Sequence, residues 1–281
     1  MRKIKHIKIN NKIINFSTPK IMGILNLTPD SFYDGGKHID NDSLLKKTED
    51  MILTGADIID IGAVSTRPGA DDVTINEELK RIIEPIKLLS YAFPKTIFSV
   101  DTYRAKVAEE SIKAGAHIIN DISGGTMDPQ MFETIAMLKV PYILMHIQGT
   151  PKTMQKHPIT ENIIDIVKSF FQNAVTKLNK LGVEDIILDP GFGFGKSLYC
   201  NYTLLKNIEK VRINNLPILA GISRKSMINK ILNIKPKEAL NGTTALNTIA
   251  LLNGANILRV HDAKEAKEVV DIVKFISAVE C

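Results

Sequence analysis

The feature that most constrains the fold of this chain is a plan that repeats from Lys20 onward: a short apolar run, a polar loop, and a longer segment with helical spacing. Short apolar runs indicate strands buried on both faces, and a helix after each strand is what a parallel sheet requires. There are eight runs, at residues 21–25, 58–61, 97–100, 117–120, 142–145, 186–188, 218–220 and 257–260. Eight units favour an α/β fold closed into a (β/α)8 TIM barrel, with an open doubly wound sheet as the alternative.

The segments between the runs carry apolar residues at helical spacing. They predict helices at residues 42–53, 76–91, 104–114, 161–181 and 263–278. Several end in a glycine suited to a left-handed cap, at Gly55, Gly115, Gly182 and Gly254. The segment after the seventh run has room for an extra short helix at 225–231 before the regular helix at 238–252. Barrels often hold phosphate at such an extra helix.

The chain begins with a pattern of a different kind. Residues 3–9 alternate between Lys or His and Ile, Asn10 and Asn11 form a turn signal, and Ile13 and Ile14 resume the apolar pattern. Alternation around a short polar turn predicts a β-hairpin, which we expect to cover one end of the barrel. We therefore expect a single domain over residues 1–281, with residues 1–18 as an N-terminal hairpin and residues 19–281 as the barrel.

Composition excludes several classes of protein. Hydrophobic residues make up 44% of the chain, enough for a large core, yet no apolar run approaches the roughly 20 residues that span a bilayer. The basic N-terminus lacks the apolar segment of a signal peptide, so we expect a cytoplasmic protein with no membrane partner. Two cysteines without a Cys-x-x-Cys argue against a disulfide framework or zinc site. The net charge of +5 is scattered, which argues against nucleic acid.

Polar chemistry follows every apolar run. The residues at these strand ends are Asn26, Asp60, Asp101, Asn120, Asp121, His146, Asp189, Ser223, Arg224, Lys225, Arg259, His261 and Asp262. Any single acid is as readily a helix cap as a functional residue. A capping role is the alternative for Asp30, Asp42, Asp128 and Asp262. A barrel, however, aims all eight strand ends at one cavity. The set as a whole therefore predicts a functional site.

The residue types at the strand ends suggest two neighbouring tasks. Fixed donors and acceptors suited to the edge of a flat heterocycle are Asp101, Asn120, Asp189 and Lys225. A set suited to a multiply charged phosphate comprises Asn26, Thr66, Arg67, Arg259 and His261. Without a dense carboxylate or His cluster, any Mg²⁺ would be held largely by substrate oxygens and water. No Ser-His-Asp arrangement or cysteine nucleophile stands out, which argues against covalent catalysis.

The stretch 188–197, Leu-Asp-Pro-Gly-Phe-Gly-Phe-Gly-Lys-Ser, joins the sixth run to a glycine-rich loop. It is not a nucleotide P-loop, because Pro190 stands where that motif needs its first glycine. Together with residues 24–32, 65–70, 223–226 and 259–262, this stretch resembles the signature blocks of the dihydropteroate synthase family. The resemblance runs from about Lys20 to the C-terminus. Ala263, where the family usually has valine, is a small departure.

Members of this family join 4-aminobenzoate to 6-hydroxymethyl-7,8-dihydropterin diphosphate and release diphosphate. The resemblance implies that Asp101, Asn120, Asp189 and Lys225 hold the pterin. It also places Met145 among the substrate-binding residues. Asn26 would help to hold Mg²⁺ on the diphosphate, whose oxygens would be bound by Thr66, Arg259 and His261.

The second substrate would be enclosed by two loops, one at 28–36 with Asp34 and one around Arg67 and Pro68. Phe194 and Pro68 would flank the aminobenzoate ring, and Ser226 would receive its carboxylate. The resemblance assigns catalytic roles to Asp34, Arg67, Lys225, Arg259 and His261, and it implies a homodimer. Two alternatives remain open: a pterin-dependent methyltransferase, which needs no diphosphate site, and a non-catalytic pterin-binding paralogue.

Overall fold

The computed structural model describes residues 4–9, 12–27, 33–34, 38–64 and 73–279, with the backbone alone at 33–34 and 38–39. The strands are β1 Ile7–Ile9, β2 Lys12–Ile14, β3 Lys20–Asn26, β4 Tyr33–Asp34, β5 His38–Ile39, β6 Ile58–Gly62, β7 Ile97–Asp101, β8 Ile118–Asp121, β9 Tyr142–Met145, β10 Ile186–Asp189, β11 Leu219–Ala220 and β12 Ile257–Val260. The helices are α1 Asn41–Leu53, α2 Ile75–Ala92, α3 Ala105–Lys113, α4 Met131–Leu138, α5 Ile163–Lys180, α6 Leu198–Lys206, α7 Ser226–Leu232, α8 Leu240–Leu252 and α9 Ala263–Ala278.

Eight parallel strands form the centre of the molecule in the order β10-β9-β8-β7-β6-β3-β12-β11. The two outer strands of this order also meet, because Leu188 forms a parallel bridge with Ile218 and its N–H donates to the Pro217 carbonyl at 2.9 Å. The sheet is therefore closed into a barrel. The (β/α)8 prediction is confirmed, and the open-sheet alternative is wrong.

The N-terminal hairpin of β1 and β2 closes one end of this barrel. Its Ile7, Ile9 and Ile14 pack against side chains from near the amino ends of the strands, among them Met22, Ile58, Ile118, Ile143, Ile187, Leu219 and Ile257. The Lys8 N–H donates to the Asp185 carboxylate at 2.9 Å and anchors the hairpin there. The expectation of a hairpin over one end is confirmed, and the carboxyl ends of the strands are left for a site.

Several elements differ in detail from those predicted. The helix predicted at 238–252 begins at Leu240, because a 3-10 turn at Pro236–Glu238 precedes it and Glu238 caps the Lys235 N–H at 2.8 Å. The seventh barrel strand is reduced to Leu219–Ala220. Helices α4 and α6, of eight and nine residues, belong to units for which the repeating plan implied a helix but no bounds were predicted. The four glycines expected at helix ends all have positive φ, between 82° and 117°.

Candidate active site

The strand ends place the predicted residues around one opening. Asn26 pairs in register with Gly62, Gly62 with Asp101, and Asp101 with Asn120, so that these side chains lie at one level of the barrel. Asp189 pairs in register with Met145 on the next wall. Residues that are far apart in sequence are therefore neighbours at the carboxyl ends of the parallel strands.

An ion-pair cluster occupies the wall formed by β6, β7, β8 and β12. The Arg259 Nε donates to Asp60 Oδ2 at 2.6 Å, and its Nη2 donates to Asp101 Oδ2 at 2.7 Å. Burial disfavours the Arg259 cation, but Asp60 and Asp101 outweigh that cost and raise its pKa. Burial raises the pKa of Asp101 to about 7, with Arg259 opposing the shift and repulsion from Asp60 adding to it. Two carboxyl groups thus share one guanidinium.

The opposite wall pairs Asp189 with Lys225. Asp189 is buried at the end of β10, and its Oδ1 accepts the Gly191 N–H at 2.8 Å. Burial raises the pKa of Asp189, and the nearby Lys225 opposes that shift. The Lys225 ammonium donates to the Phe192 carbonyl at 2.5 Å and lies 4.7 Å from the centre of the Phe194 ring. Burial lowers the pKa of Lys225 to about 8, while Asp189 acts in the other direction.

The glycine-rich loop between these residues folds around a buried cation. The Lys196 ammonium donates to three carbonyls, those of Gly191 at 2.8 Å, Phe194 at 3.0 Å and His146 at 3.2 Å. Gly191 has φ 69°, and a Cβ on it would lie 2.0 Å from the His146 carbonyl oxygen. The loop therefore passes against the end of β9 at a distance that only glycine allows. Burial lowers the pKa of Lys196 to about 7.

A third group lies where β11 and β12 end. The Ser223 hydroxyl is 3.0 Å from His261 Nδ1, and it also accepts the His261 N–H at 3.3 Å. Arg224 adopts φ 57° and donates through Nε and Nη2 to the Asp262 carboxylate. Asp262 therefore serves as the partner of Arg224, and its side chain makes no capping hydrogen bond to α9. Ser226, exposed, is the first residue of α7 as predicted.

The remaining residues predicted from the sequence either lie outside the described residues or have structural contacts. Thr66, Arg67 and Pro68 lie outside the described residues, and so do the side chain of Asp34 and the acid Asp30. Met145 is buried with Ile122, Ile147 and Met154, and the half-buried Tyr103 and Phe194 pack against them. Asp128 has the structural role considered for it, because it accepts the Ala105 N–H of α3 at 2.7 Å.

Asn26 is the residue predicted to hold a metal. Over the described ranges, no group of three or more His, Cys, Asp or Glu side chains is arranged to bind a metal ion. Asn26 ends β3 beside Gly62, and a Cβ built on that glycine would lie 3.7 Å from the Asn26 Oδ1 and 3.9 Å from the Asp101 Oδ2. The amide oxygen of Asn26 suits a Mg²⁺ that takes its other ligands from substrate and water.

Two residues of the site received no role from the sequence. Asp60 is fully buried in the middle of β6, and the signal was an acid inside the apolar run Ile-Ile-Asp-Ile. Lys196 was visible only as the end of the glycine-rich block, and nothing in the sequence marks its side chain as buried. An acid within an apolar strand predicts a buried cation or hydrogen-bond donor as its partner. The burial of Lys196 depends on how the loop folds, which residue types do not reveal.

The comparisons with known proteins agree with this geometry. Residues 22–261 match the family model described as pterin binding enzyme. The chain is 45% identical over 263 residues to a dihydropteroate synthase of Escherichia coli K12, covering 93% of each chain, and 42% identical to that of Haemophilus influenzae, covering 94% and 96%.

Solved structures give the same result. A Yersinia pestis dihydropteroate synthase in complex with a sulfonamide drug superposes with a TM-score of 0.91 at 42% identity, covering 98% of this chain and 100% of that one. A Xanthomonas albilineans dihydropteroate synthase with 4-aminobenzoic acid gives 0.90 at 33% identity, covering 99% and 100%. The chain therefore belongs to the pterin-binding enzyme family and, within it, to the dihydropteroate synthases, which are transferases of folate biosynthesis.

Proposed function

We propose that this site condenses 6-hydroxymethyl-7,8-dihydropterin diphosphate with 4-aminobenzoate, giving 7,8-dihydropteroate and diphosphate. The observation that carries the proposal is a set of buried acceptors, Asn120 Oδ1 and the Asp189 carboxylate, at the barrel end that also holds the cations Lys225 and Arg259. Acceptors suit the N–H edge of a pterin, and cations suit a diphosphate. Neither a methyltransferase nor a non-catalytic paralogue is favoured, since the relatives compared above are synthases.

Recognition of the pterin rests on hydrogen-bonding groups fixed before it binds. Asp189 Oδ1 accepts the Gly191 N–H, and the carboxylate keeps lone pairs for adjacent N–H groups of the pterin. The Asn120 Oδ1 is buried and has no partner, so that a ligand donor would satisfy it. The buried Met145 supplies an apolar surface beside this polar edge. We propose that Asp101 and Lys225 complete the pterin site.

The diphosphate is proposed to bind to a second group of residues, on the other side of the barrel opening from Asp189. We propose that Thr66, Arg67, Arg259 and His261 bind its oxygens. Two of the five guanidinium N–H groups of Arg259 are used by Asp60 and Asp101, which leaves others for phosphate. Asn26 would contribute an amide oxygen to Mg²⁺, which when bound offsets the charge that builds on the leaving diphosphate.

The second substrate is proposed to bind between Phe194 and Pro68, with its carboxylate at Ser226. Phe194 is half-buried and is positioned through its carbonyl, which accepts a hydrogen bond from Lys196. The Xanthomonas albilineans relative was solved with 4-aminobenzoic acid and a Yersinia pestis relative with a sulfonamide drug. We propose that sulfonamides compete with 4-aminobenzoate at this same position.

The mechanism we propose is dissociative. The bond between the pterin methylene carbon and the diphosphate oxygen breaks first, and the ring stabilises the resulting cation. The neutral aniline nitrogen then attacks this carbon and loses a proton, so that no strong general base is required. Arg259 and His261 stabilise negative charge on the leaving group, Lys225 orients the pterin, and Asp34 and Arg67 act from the two loops. Kinetic evidence that cleavage requires the amine to be attacking already would contradict this order.

A homodimer is proposed from the surface of α8 and α9, which pack against each other. Their outer faces expose Ile249, Leu252, Ile272, Phe275 and Ile276, with 74% of Phe275 accessible. A cluster of large exposed apolar side chains on two adjacent helices is typical of a subunit interface. We propose a second copy of this chain as its partner, and neither nucleic acid nor membrane.

The remaining part of the proposal is cellular location. Within the described residues, no helix combines the length and apolar character needed to cross a bilayer. We propose that the enzyme acts in the cytoplasm. Fractionation of cells that produce the protein, with dihydropteroate formation as the readout, tests that location.

A further inference from the structure

We propose that Asp60 is a positioning residue for the pterin site, one that turns the Asn120 amide so that its oxygen faces the substrate. The inference rests on the proposed pterin site and adds a residue to which no substrate contact is assigned. Asp60 lies in the middle of β6 and is fully buried. It is a polar residue among apolar ones, and its ion pair with Arg259 is not on the protein surface.

The contacts of Asp60 converge on a single oxygen. Its Oδ2 accepts the Arg259 Nε at 2.6 Å and the Asn120 Nδ2 at 3.0 Å. Its Oδ1 is buried without a partner, and so is the Oδ1 of Asn120. Two acceptors on this wall thus lie buried and unsatisfied although their residues are in direct contact. A buried acceptor without a partner costs free energy, which a donor on a ligand would remove.

The charge of Asp60 determines the orientation of the neighbouring amide. A carboxylate can only accept hydrogen bonds, and Asp60 Oδ2 forms an ion pair with the Arg259 Nε at 2.6 Å. The Asn120 amide must therefore present its NH2 group to Asp60, and its oxygen turns away into the opening. If the carboxylate were removed, as in Asp60→Ala, Asn120 would be able to rotate and present either end to the substrate.

A purely structural role for Asp60, as the counter-ion of Arg259, makes a different prediction. Such a role would change stability or overall affinity for all ligands alike. An orientational role instead changes which ligands bind, because a rotated Asn120 offers a donor where an acceptor is needed. The two roles are therefore separated by ligand preference and not by affinity alone.

The test uses 6-hydroxymethylpterin and a panel of analogues, each lacking one ring N–H or amino donor, with dissociation constants measured by titration calorimetry. The Asn120→Ala variant identifies the analogue that reports on Asn120, since its penalty disappears in that variant. In the unmodified enzyme we expect that analogue to bind about tenfold or more weakly than 6-hydroxymethylpterin, the usual cost of an unsatisfied buried acceptor. In Asp60→Ala, which removes the oxygen that accepts the Asn120 Nδ2, we expect the penalty to fall to about threefold or less.

A matched control lies in the next strand. Ser99 pairs in register with Asp60, is equally buried, and has a hydroxyl without a partner. Ser99→Ala perturbs the same layer of the barrel but leaves the Asn120 contact intact, so it should keep the full penalty. The inference is overturned if Asp60→Ala also keeps the full penalty. If the unmodified enzyme binds no pterin at all, the proposed function itself fails.

Should Asp60→Ala not fold, the unmodified enzyme still decides the question. In a ¹⁵N-labelled sample, the side-chain amide signal of Asn120 is identified by its absence from Asn120→Ala. We expect the amide proton that bonds to Asp60 to exchange slowly with solvent before ligand is added and to remain protected with 6-hydroxymethylpterin bound. Rapid exchange in the free enzyme, or protection that appears only with ligand, would show that Asp60 does not hold the amide.

Discussion

The substitution Asp189→Asn is expected to weaken pterin binding because the structure fixes which way the new amide would face. Asp189 Oδ1 accepts the Gly191 N–H at 2.8 Å, and both groups are buried. The replacement must keep an oxygen on that N–H, so its NH2 group is turned toward the substrate. A donor then meets the N–H edge of the pterin where a carboxylate would have accepted it.

The size of the effect follows from the bonds that are lost. One or two hydrogen bonds to a charged acceptor contribute about 1.5–3 kcal/mol each, and the opposed donors add repulsion. We expect a loss of about 2–4 kcal/mol, equivalent to a dissociation constant roughly 30-fold to 1,000-fold higher. Titration calorimetry with 6-hydroxymethylpterin measures it directly.

The same substitution at Asp128 provides the control. Asp128 also accepts backbone N–H groups, those of Ala105 and Gln130, but it lies in the loop before α4, against the first residue of α3, and outside the proposed pterin site. Asp128→Asn should therefore leave pterin affinity unchanged. Unchanged affinity in Asp189→Asn would refute the assignment of this wall to the pterin.

Three further predictions concern the loop, the pH dependence and the subunit interface. Lys196→Met removes the donor to the Phe194 carbonyl, and we expect the KM for 4-aminobenzoate to rise about tenfold with a smaller change in pterin affinity; equal changes in both would contradict this role. Pterin affinity should be highest between pH 7 and 8, because Asp101, with a pKa raised to about 7, is protonated below that range and Lys225, with a pKa lowered to about 8, is deprotonated above it. Calorimetry across pH tests this window, and Lys225→Arg should remove the alkaline loss since a guanidinium stays charged. Phe275→Asp places a charge on the exposed face of α9 and should convert a dimer to a monomer by sedimentation, whereas a protein that is monomeric without the substitution would disprove the interface.

Much of the fold could be predicted from the sequence because parallel strands buried on both faces must be apolar. The eight runs identified the barrel, and the alternation before them identified the hairpin. Ala220 ends a strand of only two residues, and the short helices α4 and α6 carry too few turns for a distinct apolar stripe. Boundaries and short elements depend on packing partners that a local pattern does not contain.

The site could be predicted in its residue types but not in its pairings. Asp101, Asn120, Asp189, Lys225 and Arg259 were identified because each lies at the end of an apolar run or shortly after it. Their partners depend on barrel geometry: Arg259 is 199 residues from Asp60 in sequence, yet the two groups are 2.6 Å apart. The sequence likewise gave no sign that a lysine would organise the glycine-rich loop, because three backbone carbonyls leave no signature in residue types.

The most direct test of the account is the release of diphosphate by the purified enzyme. The reaction contains 6-hydroxymethyl-7,8-dihydropterin diphosphate with Mg²⁺, and it is followed with and without 4-aminobenzoate. With the amine we expect sustained diphosphate release, matched by an equal amount of 7,8-dihydropteroate and lost on chelation of Mg²⁺. Without the amine we expect at most one diphosphate per site, because the cation formed by cleavage is not consumed. Release at the same rate without the amine, or none with both substrates, would contradict the proposed condensation.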